Sequence, residues 1–241
     1  MPESEESPTR DPMDHELSEE RSVAAKLGVW TVVVAGGSGS RFGGAKQLVH
    51  VGGQRVIDRS VATAFRVSEG VVLVTTADRV DAEHGSATSV VAGGRSRSES
   101  VRNGLTVVPA SAEIIVVHDA ARPLVPVAVF ERAVAAVRAG AGAVISAVSV
   151  VDTLKRVEGN TVLETVDRSS LVAVQTPQAF RADVLRRAHD SGLDATDDAG
   201  LVEALGLPVV TVEGDVRSRK LTTAEDLAIL EAFLAYEPGE K

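Results

Sequence analysis

The sequence predicts an α/β fold, a mainly parallel sheet flanked by helices, with a β-hairpin arm inserted. Three observations predict it. Short β-branched runs at 29–34, 71–75, 114–117 and 143–148 are separated by helical patterns, the mark of strand–helix–strand units. The composition is 44% hydrophobic but only 3% aromatic, so the core is built from Val, Ala, Leu and Ile, as in parallel sheets buried on both faces. Between Ser149 and Gln175 the alternation stops, and two β-like runs, 151–157 and 161–166, meet at Glu158-Gly159-Asn160 without a helix between them, which reads as a hairpin.

Taken in order, the run at 29–34 opens into a glycine-rich loop, and the spacing predicts a helix over 56–67 and a strand over 71–75. Val90 and Val91 read as part of a loop. The next helix starts at Ser96, with Glu99 three residues on to close a capping box. The apolar run 114–117 ends in His118 and Asp119. Pro126 stands in a first helical turn, and Val127, Phe130, Val134 and Val137 follow at spacings of three and four, an amphipathic helix. After the strand at 143–148 and the hairpin come helices near 181–189 and 197–205, then a strand at 209–212. The last helix has Thr222 and Glu225 at capping-box spacing and Leu227, Leu230 and Leu234 on one face.

With 241 residues, no internal repeat and no linker, the chain reads as one domain over 27–241 with an arm at about 149–175. No cysteine is present, which excludes disulfides and thiolate metal sites and points to a reducing compartment. No apolar run approaches the ~20 residues of a membrane span, and the start lacks a basic stretch followed by an apolar core. A cytoplasmic protein is expected, without membrane contact. The net charge of −9 argues against general nucleic-acid binding. Much of it sits in residues 1–22, where eight acids face two bases. Residues 1–26 are therefore expected to form an acidic, disordered tail.

The stretch Ala35-Gly36-Gly37-Ser38-Gly39-Ser40-Arg41-Phe42-Gly43-Gly44-Ala45-Lys46-Gln47 hangs directly off the first strand. Glycines there let main-chain N–H groups approach a phosphate, because no Cβ intervenes. Arg41 and Lys46 add two cations. The Walker loop fails, since Ala45 precedes Lys46 and Gln47 follows it, and the dinucleotide fingerprint fails because Phe42 stands where it needs glycine. A polyanion cradle and a plain glycine turn both remain.

Asp119 stands just past a strand's carboxyl end, where open parallel sheets place their ligand crevice. A single carboxylate beside phosphates suits Mg²⁺, which takes its remaining oxygens from water and substrate; the alternative is a helix cap. His118 lacks a partner at zinc spacing and reads as a packing or hydrogen-bonding residue. Arg122 offers a fork to a phosphate or forms a surface ion pair. The second pair, Gly93-Gly94, could lie beside the first loop at adjacent strand ends and read a base edge, with Ser100 making a polar contact.

Together, AGGSGSRFGGAKQ, GGRSRSES, VHDAARP, DTLKR, VDRSSL, QTPQAF, TDDAGLVE and VEGDVRSRKLT resemble, in that order, the 2-C-methyl-D-erythritol 4-phosphate cytidylyltransferases of the non-mevalonate isoprenoid pathway. The resemblance runs from about Val29 to Ala235. It implies a Rossmann-like sheet of the nucleotidyltransferase type of the glycosyltransferase-A fold, and a magnesium-dependent transfer of CMP from CTP to a polyol phosphate with release of pyrophosphate. By resemblance, Ala35, Gly36, Gly37 and Gly39 line CTP, and Arg41 and Lys46 meet its triphosphate. Gly94, Arg95 and Ser100 face cytosine and ribose, and Asp119 holds Mg²⁺. Arg122, Thr153, Arg168, Thr196 and Lys220 meet the second substrate, with Lys220 joining Arg41 and Lys46 as catalytic cations. The family's arm embraces a second subunit, so a homodimer is implied in which Arg168 completes the neighbour's site. Three positions depart from the family pattern: Ala45-Lys46-Gln47 replaces Pro-Lys-Gln after a shorter loop, Arg95 replaces Asp, and Ser218-Arg219-Lys220 replaces Asn-Ile-Lys. Ribitol 5-phosphate cytidylyltransferases share these motifs and are the nearest rival. A non-catalytic nucleotide-binding protein is the rival of another class.

Overall fold

The first strand, β1 (Val29–Val34), is buried on both faces because its side chains alternate between two apolar layers. Val29 and Val33 point into one layer, and Val32 into the other. The computed structural model describes residues 25–36, 42, 44–82 and 85–236. The acidic tail, residues 25 and 26 aside, and Gly37, Gly39 and Arg41 of the glycine loop lie outside them.

Around β1 the described residues form a seven-stranded sheet. Its members are β4 (Gly70–Thr75), β5 (Ser89–Ala92), β6 (Ile114–Asp119), β7 (Ala143–Ser149), β10 (Val172–Arg181) and β11 (Val210–Glu213), in the order β11-β7-β10-β6-β1-β4-β5. All pairings are parallel except those of β10, which runs antiparallel between β6 and β7.

Helices cover both faces. On one, α1 (Val56–Phe65) and α3 (Val127–Arg138) bury Ile57, Val61, Phe130 and Val134 against Val33, Leu73 and Val116. On the other, α2 (Arg97–Leu105), α4 (Ala182–Asp190) and α5 (Asp198–Ala204) bury Val101, Leu185 and Val202 against Val32, Val72, Ile115 and Phe180. Phe130 and Phe180 are fully buried, one in each layer, each contributing roughly 1.5–3 kcal/mol of transfer free energy.

A third, smaller cluster fixes the end of the chain. The hairpin β2 (His50–Val51) and β3 (Gln54–Arg55) meets the final helix, α6 (Ala224–Ala235), so that Val51, Val56, Leu221 and Leu230 are fully buried together. The arm is a separate antiparallel pair, β8 (Leu154–Glu158) and β9 (Thr161–Val166), turning through Gly159 at φ +55°. Glycine suits that left-handed backbone because it carries no Cβ.

Four expectations are corrected. Val90 and Val91 lie in β5, an edge strand completed by parallel pairing to β4. The arm, expected to run to about residue 175, stops short of that: residues 172–181 form the longest strand of the sheet, and Pro177 within it disguises the pattern. The last helix takes its capping box from Thr223 and Asp226, one residue later than Thr222 and Glu225. Ser96 does cap α2, accepting the Glu99 N–H at 3.0 Å, but the Glu99 carboxylate takes the Arg95 N–H at 2.8 Å, so the box does not close on Ser96.

Candidate active site

The strands' carboxyl ends carry the site. Past β1, the Ala35 N–H donates to Val74 O at 2.7 Å, and past β5 the Gly93 N–H donates to Thr75 O at 2.7 Å. These bonds draw both glycine segments over the end of β4. The two strands are next but one, not adjacent as expected, yet a Cβ on Gly36 would lie 4.0 Å from Gly93 Cα and 3.7 Å from Ser100 Oγ. The Ser100 hydroxyl accepts the Gly94 N–H at 3.0 Å and donates to Ser96 O at 2.8 Å, pinning the second glycine pair to the start of α2. Gly94 has no room for a side chain, since a Cβ there would run into Glu99.

Asp119 ends β6 and is buried among cations. Its Oδ2 accepts from Lys220 Nζ at 2.7 Å and its Oδ1 from Arg97 Nε at 3.3 Å. Burial alone would raise its carboxyl, but the charges of Arg97 and Lys220 overcome that and hold it well below the usual range. The main-chain N–H of Asp119 donates to Thr176 Oγ1 at 3.1 Å. Next to it His118 is fully buried, with Nδ1 3.1 Å from the same Thr176 hydroxyl and its ring tilted on Phe130 at 4.9 Å. Burial pushes its imidazole down to about 4.

Lys220 arrives from the far end of the sequence because its neighbour Leu221 is locked into the third core cluster and donates its N–H to Ala121 O at 2.8 Å. Lys46, in a short helical turn at Lys46–Leu48, reaches the same segment and donates to Leu221 O at 2.9 Å.

The result is a cleft of about 450 Å³. Of the residues singled out in the sequence, it brings together Ala35, Gly36, Lys46, Gly94, Arg95, Ser100, Asp119 and Lys220. Arg95 sits at the rim with an almost fully exposed side chain, 3.3 Å from Glu99. Arg122 stays outside the lining and donates to Ser218 O at 2.6 Å. Thr153 and Arg168 belong to the exposed arm region, where Arg168 Nη1 donates to Val150 O at 3.2 Å, and Thr196 is exposed ahead of α5. None of these four lines the cleft of a single chain.

Phe42, Gln47, Arg97 and Thr222 also line it and went unrecognised in the sequence. For Arg97 a signal existed: a cation in the first helical turn opposes the helix dipole and so calls for another reason to be there.

Asp119 is the sole carboxylate among the described residues lining the cleft, and no group of three or more His, Asp or Glu among them could hold a metal. One carboxylate kept ionised fits a hard divalent cation that brings its other oxygens from water and phosphate. It does not fit a cage made wholly of protein ligands.

A glycine-walled, cation-rich cleft at the carboxyl ends of a mainly parallel sheet defines an α/β nucleotidyltransferase fold. The family model described as IspD, 2-C-methyl-D-erythritol 4-phosphate cytidylyltransferase, matches residues 29–236, and the chain belongs to that family. The cytidylyltransferase of that name from Geobacillus thermodenitrificans is 45% identical over 226 residues, covering 87% of this chain and 98% of its own. A bifunctional IspD/IspF enzyme from Solidesulfovibrio magneticus is 41% identical over 227 residues, and the chain spans only 56% of its length. Among solved structures, the 2-C-methyl-D-erythritol 4-phosphate cytidylyltransferase of Thermus thermophilus superposes with a TM-score of 0.73 at 33% identity, covering 85% of this chain and 98% of that one. The 4-diphosphocytidyl-2C-methyl-D-erythritol synthase of Anaerococcus prevotii gives 0.76 at 27% identity, covering 90% and 99%.

Proposed function

We propose that this chain transfers CMP from CTP to 2-C-methyl-D-erythritol 4-phosphate, releasing pyrophosphate and forming 4-diphosphocytidyl-2-C-methyl-D-erythritol for isoprenoid precursor synthesis. The observation that carries the reading is the clustering of Lys46, Asp119 and Lys220 in one cleft walled by both glycine segments, in a chain whose relatives carry that activity in their names.

A phosphate oxygen of the polyol attacks the α-phosphorus of CTP, and the bond to the pyrophosphate oxygen breaks in line. The attacking phosphate is anionic at neutral pH, so the reaction needs neither a covalent nucleophile nor a strong base. Lys46 and Arg41 hold the triphosphate and offset charge on the leaving group. Gly94, Arg95 and Ser100 frame the nucleoside, with Ser100 also keeping the glycine pair in place. Asp119 would hold Mg²⁺, which would supply further charge neutralisation at the phosphates. Lys220, paired with Asp119, is assigned to the two reacting phosphates.

Arg122, Thr153, Arg168 and Thr196 are assigned to the polyol phosphate. Because Thr153 and Arg168 lie away from the cleft of their own chain, we assign the arm to a homodimer in which each arm completes the other copy's site. The exposed Val157, Val162 and Leu163 of the arm support that reading. The catalytic domain is taken as residues 27–241 with the arm at about 149–175, and residues 1–26 as an acidic tail. A cytoplasmic location accords with the cysteine-free sequence.

The test is pyrophosphate release from CTP with each polyol phosphate, with and without Mg²⁺. Release with the methylerythritol phosphate, dependent on Mg²⁺, is expected. Preference for ribitol 5-phosphate would reassign the substrate, and CTP binding without turnover on either would overturn the catalytic reading.

A further inference from the structure

Asp198 opens α5, is fully buried and lines no part of the cleft. A buried carboxylate is costly unless its oxygens are partnered. Its Oδ2 accepts from Arg97 Nη1 at 2.7 Å, and its Oδ1 faces His189 Nε2 at 3.0 Å. Arg97 in turn directs Nε to Asp119 Oδ1 at 3.3 Å. One guanidinium therefore spans two carboxylates, one in the cleft and one behind it. Because the guanidinium is planar and rigid, fixing one of its donors fixes the direction of the others. Burial would favour loss of the proton, but Asp198 and Asp119 together hold Arg97 firmly charged.

The same segment is clasped from its other side. The Ala199 N–H donates to Gln178 Oε1 at 3.2 Å, and Gln178 Nε2 donates to Asp197 Oδ2 at 2.7 Å. Two residues earlier on β10, Thr176 takes the Asp119 N–H. The links close into a circuit: from Asp119 through Arg97 to Asp198, along the chain to Ala199, across to Gln178, back along β10 to Thr176 and so to Asp119. Hydrogen bonds in such a low-dielectric network reinforce one another.

We propose that Asp198 is a positioning residue for the transfer reaction: acting through Arg97, it sets the orientation of the Asp119 carboxylate and leaves the second oxygen to Lys220. The inference rests on the proposed cytidylyl transfer. It assigns control over turnover to a buried side chain that lines no part of the cleft.

Steady-state kinetics on Asp198→Leu, Asp198→Asn, Arg97→Lys and the Arg97→Lys/Asp198→Leu double variant test it, each run well below its own melting temperature. Misplacing a reacting group by about 1 Å costs up to ~100-fold, so Asp198→Leu is expected to lose about 10- to 100-fold in kcat with KM for CTP changed less than about threefold. Asp198→Asn, which keeps an acceptor for Arg97, is expected to recover part of that loss. The double variant should be no slower than the slower single, because both act through one link. Unchanged kcat in folded Asp198→Leu overturns the inference; should that variant not fold, unchanged kcat in both Asp198→Asn and Arg97→Lys overturns it equally. Wild-type protein assayed in parallel separates the two readings, since its failure to release pyrophosphate overturns the transfer reaction itself.

Discussion

Lys220 Nζ lies 2.7 Å from Asp119 Oδ2, although 101 residues separate the two. The pairing depends on the third core cluster, in which fully buried Leu221 anchors the segment. The sheet supplies the acid, and the last turn before α6 supplies the base.

Removal of either cation at this end of the cleft is expected to affect chemistry more than folding. The Lys220 side chain is 40% exposed, so Lys220→Ala should fold, as should Lys46→Ala. Each should lower kcat by about 10²- to 10³-fold, the usual loss for one preorganised electrostatic contact. Circular dichroism with pyrophosphate-release kinetics checks both halves.

His118 makes stability depend on pH. Its folded value of about 4 lies below the ordinary 6.5, so between these values the unfolded chain binds the extra proton and stability falls as pH drops. From pH 7 to 4.5 the expected loss from this group is about 2–3 kcal/mol. Asp119 acts in a different window. Its carboxyl is held below the ordinary 3.8, so its contribution is present above that pH and is lost only under stronger acid. Urea unfolding of wild type and His118→Gln at pH 7, 5.5 and 4.5, with chelator present, should give a shallower slope for the variant.

Gly104, inside α2, offers a test of packing against propensity. Alanine in a helix interior is favoured over glycine by about 1 kcal/mol. Here, however, a Cβ would stand 2.7 Å from Val32 Cγ1 and 2.9 Å from Val74 Cγ2, both in the sheet. Overpacking of this kind typically costs 1–3 kcal/mol. Gly104→Ala is therefore expected to lower the midpoint of thermal unfolding.

On the arm, Val157 and Val162 sit opposite each other in the β8–β9 register and are 56% and 57% exposed. If the arm joins two copies as proposed, replacing both with Asp should give a monomer where wild type gives a dimer in analytical ultracentrifugation, while α-helical content stays constant. Use of the polyol phosphate should weaken in parallel.

Much of this was legible in the sequence because parallel strands announce themselves as continuous β-branched runs, and β1, β4, β6 and β7 all do. The arm was legible too, through Gly159 between two β-like runs. What escaped depended on tertiary pairing. The strand β10 holds Pro177 and polar Gln175, Thr176 and Gln178, residues that argue against a central strand until their side chains are seen bonding to Asp215, Asp119 and Asp197. The four residues of β5 are too few to register without β4 beside them. In the cleft, Lys46, Asp119 and Lys220 could be named from motifs. Arg97 is marked only by standing against the helix dipole; its role comes from two carboxylates brought together only by folding.

The cleft draws its lining from residues 34 to 222, and its acid is partnered from residues 97 and 220. A chain emerging from the ribosome must therefore deliver Lys220 before the constellation exists. The sheet's first strands can pair early, but the nascent polypeptide acquires catalytic competence only near the completion of this segment. Fragments ending before Leu221 are structurally incomplete at the heart of the site, whatever fraction of the sheet they contain.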